Sequence, residues 1–336
     1  MPNKKGTVVT VQWLRGVAAL MVVFHHALQP VPWLFNPIKG YEAFGWGVDV
    51  FFVISGFIMY VAARSEPPSR FIWLRIVRVV PLYWLATLGL FVLFYKAKVL
   101  QLSFEEARHL ALSLLFIPHY SLSKPDQIWP FLIPGWTLNY EMFFYVVFLI
   151  ALLFRRPLLV TSVCILSFVL LGFGFDFSGN AILLTYTNPL LLEFIAGVWV
   201  GRLYVMGKLR PQWAFLLPLG FLGLMSIPLL IADDQAIWLR AAFSACILVG
   251  AVSFAHDAPK LDVLTKIGDA SYSIYLTHTM VGLVISRKIF AIAPVHGWLQ
   301  FLLFILVSLF LSTLSGYFVF KYVERPMLNW MRPQKR

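Results

Sequence analysis

Ten apolar runs of about twenty residues recur along this 336-residue chain, and nothing else in it constrains the fold so strongly. They fall at approximately 8 to 28, 45 to 63, 79 to 97, 136 to 154, 158 to 176, 186 to 205, 212 to 232, 236 to 255, 269 to 291 and 298 to 321. A bilayer's hydrocarbon core is about 30 Å thick and takes about 20 helical residues to cross. The runs therefore predict an all-α, polytopic membrane bundle of about ten transmembrane helices. A shorter run, 108 to 118, lies between Arg108 and Pro118-His119 and is expected to be re-entrant or to lie on the surface. No connection between the runs is long enough to fold alone, so residues 1–336 are expected to form one transmembrane domain without a separate soluble one.

Composition and charge point the same way. The chain is 60% hydrophobic and 12% charged, whereas soluble domains are nearer half apolar and a quarter charged. A net charge of +12 would suggest nucleic acid in a soluble protein, but here lysines and arginines anchoring helices on the cytoplasmic side account for it. No nucleic-acid partner is expected. With ten spans and a cytoplasmic N-terminus, 18 cations fall on inner ends and loops and 8 outside. Counting 108 to 118 as another span would reverse everything after it and destroy that bias. Both termini are therefore expected in the cytoplasm. Lys4 and Lys5 ahead of the first run imitate a secretory signal, but ionisable residues interrupt the stretch that a cleaved signal needs clean. Cys164 and Cys246 lie in apolar runs without metal-ligand spacing and read as buried fillers, so no metal site is expected.

The interrupting residues are Arg15, His25 and His26, and ionisable groups inside a membrane segment are a functional hypothesis by default. From Arg15 to His26 an α-helix turns about 1100°, only about 20° past three full turns, so both share a face, roughly 16 Å apart along the axis. His25 points about 80° away. Arg15 is expected in the cytoplasmic half and His26 near the outer end, where Asp49 of the second run and Glu141 of the fourth converge in depth. A carboxylate beside an imidazole holds its tautomer and favours its protonated form, as a general base in acyl transfer requires. Plainer readings stand beside these: a snorkelling arginine, structural histidines and solvated carboxylates.

Arg75 and Arg78, in the inner connection between the second and third runs, are three apart and project from one helical face, suited to gripping a phosphate group. Topological anchoring explains the same charge. His278 falls mid-membrane in the ninth run, where packing is as good an account as catalysis. Glu324-Arg325-Pro326 reads as an ion pair ending the tenth helix.

Five markers occur in order: Arg15 and His26 with ten residues between them, Gly47-Val48-Asp49-Val50-Phe51-Phe52-Val53-Ile54-Ser55-Gly56-Phe57, Arg75-x-x-Arg78-x-x-Pro81, Gly135-Trp136-Thr137-Leu138-x-x-Glu141, and the run from Tyr272 to His278. On these the chain resembles the membrane acyltransferase-3 family from about Val11 to Pro326, and within it the exopolysaccharide acyltransferases. The resemblance implies an acyl-CoA donor, most often acetyl-CoA, supplied from the cytoplasm, no tightly bound cofactor, and an extracytoplasmic carbohydrate hydroxyl as acceptor. It implies that Arg75 and Arg78 hold the donor's phosphates and that Arg15 contacts the donor in the bundle. His26 would be the general base, with Glu141 or Asp49 orienting it, or would itself carry the acyl group. His25, Trp136 and His278 are secondary candidates. The location implied is the bacterial inner membrane, among lipids, with self-association or a polysaccharide-assembly partner left open. Two other classes fit part of the pattern. A secondary transporter would use the intramembrane arginine, histidines and carboxylates for substrate or protons; a scaffold of an export complex would leave Arg15 and His26 without a purpose.

Overall fold

A computed structural model describes residues 8–28, 35–95, 102–231, 236–255, 258–284 and 296–331, which are helical with no strand among them. The helices are α1 (Val9–Ala27), α2 (Gly47–Ile58), α3 (Pro68–Tyr95), α4 (Phe104–Leu114), α5 (Trp136–Leu153), α6 (Pro157–Gly174), α7 (Ala181–Tyr186), α8 (Leu191–Val205), α9 (Leu216–Leu230), α10 (Ile237–Ser253), α11 (Asp262–Asp269), α12 (Ser271–Val284), α13 (Gly297–Val319) and α14 (Arg325–Met331). Proline opens α3 and α6, where its missing N–H is no loss. The expected cytoplasmic termini, with Lys4, Lys5, Arg332, Lys335 and Arg336, lie outside the described residues.

Each of the ten apolar runs falls at least in part on helix, but among the described residues seven helical stretches are by themselves long and apolar enough to cross a membrane. The other three runs are covered by α1, α10 and α12. Gln12, Arg15, His25 and His26 dilute α1; α10 has 17 residues, and the described part of α12 has 14. Residues 285–291 of the ninth run lie outside the description. The shorter run at 108 to 118 overlaps only the later part of the 11-residue α4, capped by Ser103, whose side chain accepts from the Glu106 N–H while Glu106 accepts from the Ser103 N–H.

Burial separates centre from rim. The span containing α2 is 72% buried, whereas that containing α9 is 17% buried, so α2 is enclosed by protein and α9 turns most of its apolar surface outward. Phe52 of α2, Phe194 of α8 and Phe144 of α5 stack in sequence at 4.6 and 4.4 Å, and all three are buried. The α2–α8 contact depends on two glycines: a Cβ on Gly197 would strike the Val53 carbonyl oxygen, and one on Gly56 the Phe194 carbonyl oxygen. Helices in lipid gain from such close approach because dispersion, rather than the hydrophobic effect, joins them. A second close pairing sets α11 and α12 alongside α1. A Cβ on Gly16 would lie 3.1 Å from the Gly268 nitrogen. Further along, Ala19 and Val23 pack with Ala270 and Ile274.

Cys164 and Cys246 are half-buried rather than buried, on α6 and α10. The arginines read as part of an inner connection stand on α3 itself, because that helix begins at Pro68, about ten residues before the apolar run.

Candidate active site

Arg15 and His26 lie along α1, yet they serve different surroundings. The Arg15 Nη1 donates to Gln12 Oε1 at 2.9 Å, and its charge is within electrostatic reach of Arg78, Glu324, Asp269 and Glu141. It lines a cavity of about 560 Å³ together with Arg70, Arg75, Arg78, Glu66 and Glu141. That cavity runs from Val8, Glu66 and Arg70, where α1 begins and the chain turns into α3, to Val48, Thr137 and Leu138 near the starts of α2 and α5. Four arginines against two glutamates favour an anionic occupant. The Arg75 guanidinium stands over the Phe71 ring at 5.8 Å, and its buried Nε has no hydrogen-bond partner. An unsatisfied buried donor costs about 1–3 kcal/mol, which a ligand acceptor would recover.

Glu324 was read as ending its own helix with Arg325. It is instead fully buried, 3.8 Å from Arg78 Nη1, and accepts from Ser273 Oγ at 2.5 Å. A wide helical turn, Phe320–Glu324, intervenes between α13 and α14 and ends on this residue. Arg78 is thus tied to that turn through Glu324 and, by way of Ser273, to α12, as well as facing the cavity.

Neither carboxylate expected to orient His26 is bonded to it. Asp49, 1% exposed, accepts from Arg240 Nε at 2.7 Å, and the Arg240 guanidinium covers the Trp46 ring at 5.3 Å. A carboxylate buried this deeply needs a charge partner, and α10 supplies it. Glu141 accepts from Ser55 Oγ at 3.1 Å and from the Tyr145 hydroxyl, and belongs to the wall of the Arg15 cavity.

Two histidine rings flank His26. Its Nδ1 is 3.0 Å from the Val22 carbonyl oxygen, four residues back on α1. A carbonyl only accepts, so the neutral ring carries its proton on Nδ1 and leaves Nε2 with a lone pair. The His278 ring stands edge-on at 4.7 Å and the His25 ring at 5.2 Å. His25 turns away toward Glu42, with its Nδ1 3.5 Å from the carboxylate. His278 is level with His26 because α1 and the α11–α12 segment run side by side: Gly16 meets Gly268, and ten residues on, His26 meets His278. That register sets His278 level with His26 along α1.

Neither His26 nor His278 belongs to the cavity's described wall. Between them and the cavity stands Tyr275, which bonds Thr137 Oγ1 at 2.9 Å, donates to the Pro134 carbonyl at 3.0 Å and packs against Phe51 at 5.9 Å. Trp136 begins α5 outside that wall, its ring edge-on to Tyr140 at 5.8 Å. The sequence reading missed Arg70, Ser55, Tyr145, Tyr272, Tyr275, Glu324 and Arg240. Tyr145 had a usable signal, since it follows Glu141 by one helical turn. Arg240 had none, being 191 residues from Asp49.

The profile of a family described as "Acyltransferase domain" matches residues 8–317. A relative from Rhizobium meliloti (strain 1021), the "Exopolysaccharide production protein ExoZ", is 36% identical over 299 residues, covering 86% of this chain and 91% of its own. No solved structure matches. A family match over nearly all the described helices, joined to a full-length relative, leaves one assignment: the chain belongs to the acyltransferase-3 family of multi-pass membrane proteins.

Proposed function

We propose that this protein is an O-acyltransferase that moves an acyl group, acetyl in the simplest case, from cytoplasmic acyl-CoA to a hydroxyl of an extracytoplasmic polysaccharide or its lipid-linked precursor. The observation that carries the reading is the arginine-lined cavity, in which residues from α1 and α3, sixty positions apart in sequence, face one space. Coenzyme A has several phosphate charges at one end and a thioester at the other. Arg70, Arg75 and Arg78 suit the first, and the cavity's uncharged far end, at Thr137 and Leu138, suits the second. The relative's name, an exopolysaccharide production protein, supports a polysaccharide acceptor.

In the reaction the acceptor hydroxyl gives its proton to His26 Nε2, and its oxygen attacks the thioester carbonyl carbon. The new C–O bond gives a tetrahedral intermediate, whose collapse breaks the C–S bond, and the departing thiolate takes up the proton, leaving an ester and free coenzyme A. A positioned base of this kind contributes about 10² to 10⁴ in rate. Tyr275 lies where acyl group and histidine must meet, so transfer requires its phenol to move aside or the acyl group to pass between it and Phe51.

Acyl-CoA binding to the purified protein in nanodiscs tests the reading. Arg75→Ala and Arg78→Ala should each weaken affinity by roughly ten- to a hundredfold, the loss of a charge-assisted contact worth about 1.5–3 kcal/mol. Lysine should restore it poorly, because a point charge does not replace a planar fork. Wild-type protein without specific affinity for any acyl-CoA would remove the enzyme reading and leave the transporter reading ahead.

A further inference from the structure

Among the described buried polar groups, His278 has a geometry that packing does not explain. His278 is 2% exposed, its Nδ1 is 2.6 Å from the Tyr275 carbonyl oxygen, and its Nε2 is buried without a hydrogen-bond partner. The carbonyl can only accept, so the neutral ring is protonated on Nδ1 and keeps a lone pair on Nε2. His26 is held in the same tautomer in the same way by Val22. Two imidazoles thus stand 4.7 Å apart with both Nδ1 atoms tied to their own helices and both Nε2 lone pairs uncommitted. The separation equals that of His109 and His119, which do share a hydrogen bond, Nε2 to Nδ1, at 2.8 Å. In the resting pair no proton is available for such a bond. Leaving Nε2 of His278 unsatisfied costs stability that leucine or phenylalanine at this position would not lose.

We infer that His278 is a positioning residue for proton handling: it accepts a hydrogen bond from the proton that His26 captures and so stabilises the imidazolium between the two halves of the transfer. The inference rests on the acyltransferase reading above. Before reaction, neither Nε2 carries hydrogen. When the acceptor hydroxyl loses its proton to His26 Nε2, the pair gains one N–H and one waiting acceptor, and the bond forms. When the thiolate leaves, it removes that proton, and both lone pairs are restored. The charge is spread over two rings only while the tetrahedral intermediate exists, which is when stabilisation accelerates the chemistry. Among the described residues, the other titratable groups near the pair are His25, its partner Glu42, and the Tyr275 phenol.

The experiment compares wild type with His278→Asn and His278→Gln in nanodiscs, reading acyl-CoA affinity, transfer to polysaccharide and the solvent isotope effect on kcat. Asparagine can keep the donor to the Tyr275 carbonyl but puts no acceptor at the Nε2 position, whereas the glutamine amide oxygen can reach that position and accept there. Both variants should bind acyl-CoA as wild type does and keep its KM. The kcat of His278→Asn should fall about a hundredfold, the low end for a proton-handling group, with a larger solvent isotope effect, and His278→Gln should recover part of that loss. Transfer by folded His278→Asn at the wild-type rate and isotope effect would overturn the inference, as would a loss confined to acyl-CoA affinity. Wild-type protein that transfers no acyl group would instead remove the enzyme reading on which the inference stands.

Discussion

At the scale of single residues, His25 and His26 make the sharpest contrast, because the two are chemically identical neighbours with different surroundings. His26 has its Nδ1 on the Val22 carbonyl and its ring against His278, whereas His25 leans toward Glu42, which is half in solvent. His26→Ala should therefore cut acyl transfer by about 10² or more while leaving acyl-CoA bound, and His25→Ala should cost much less. Transfer assays on both variants, each checked for acyl-CoA affinity, decide this. His26→Ala that retains more than about a tenth of wild-type transfer excludes the base. The exceptional status of these residues was legible in the sequence, since the helical step from Arg15 to His26 needs only a period. Their partners were not. Asp49 was read as a companion of His26 from depth alone, but depth does not fix azimuth, and the structure gives it to Arg240 on α10. Glu141 likewise joins Arg15, Ser55 and Tyr145 around the cavity.

At the scale of elements, helix existence follows from apolar length, but helix contact follows from where bulk is missing. Gly56 and Gly197 sit inside apolar runs that read simply as spans, and no periodicity marks them as the crossing of α2 and α8. Since a Cβ at Gly197 would strike the backbone of Val53 rather than a side chain that can rotate, the two helices must part to admit it. Gly197→Ala should destabilise the protein by about 1–3 kcal/mol, the usual cost of overpacking, read as a lower midpoint of thermal unfolding in detergent. Gly89 in α3 has open space around its would-be Cβ. Gly89→Ala should therefore leave the midpoint unchanged or raise it, alanine being favoured over glycine in a helix by about 0.5–1 kcal/mol. Equal midpoints for Gly197→Ala and wild type would show that α2 and α8 do not cross as closely as described. α11, which carries Asp262, Lys266 and Asp269, is far less apolar than α12, and Gly268 near its end lies against the Gln12 backbone of α1.

At the scale of the whole molecule, orientation decides whether the cavity can be supplied. The cavity's Glu66 and Arg70 lie beside the turn that joins α2 to α3, so in the proposed reaction the donor would enter from the side of the membrane that holds this turn. Acyl-CoA is a cytoplasmic metabolite with charges that do not cross lipid, and the 18 to 8 distribution of cations predicts that the same turn is cytoplasmic. The chemistry of the proposed donor and the loop charge, argued independently, thus predict the same orientation. Ser65 in that turn and Lys124 in the connection after α4 are both exposed and lie on opposite faces in the ten-span reading. In a background with Cys164 and Cys246 replaced by alanine, Ser65→Cys should resist a membrane-impermeant thiol reagent applied to cells with an intact inner membrane, and Lys124→Cys should react. Permeabilised cells should expose both. The opposite pattern would turn the arginine-lined mouth toward a compartment without coenzyme A. The cavity would then have to take an anion from outside, and the division of labour between arginines at the donor end and histidines at the acceptor end would be lost.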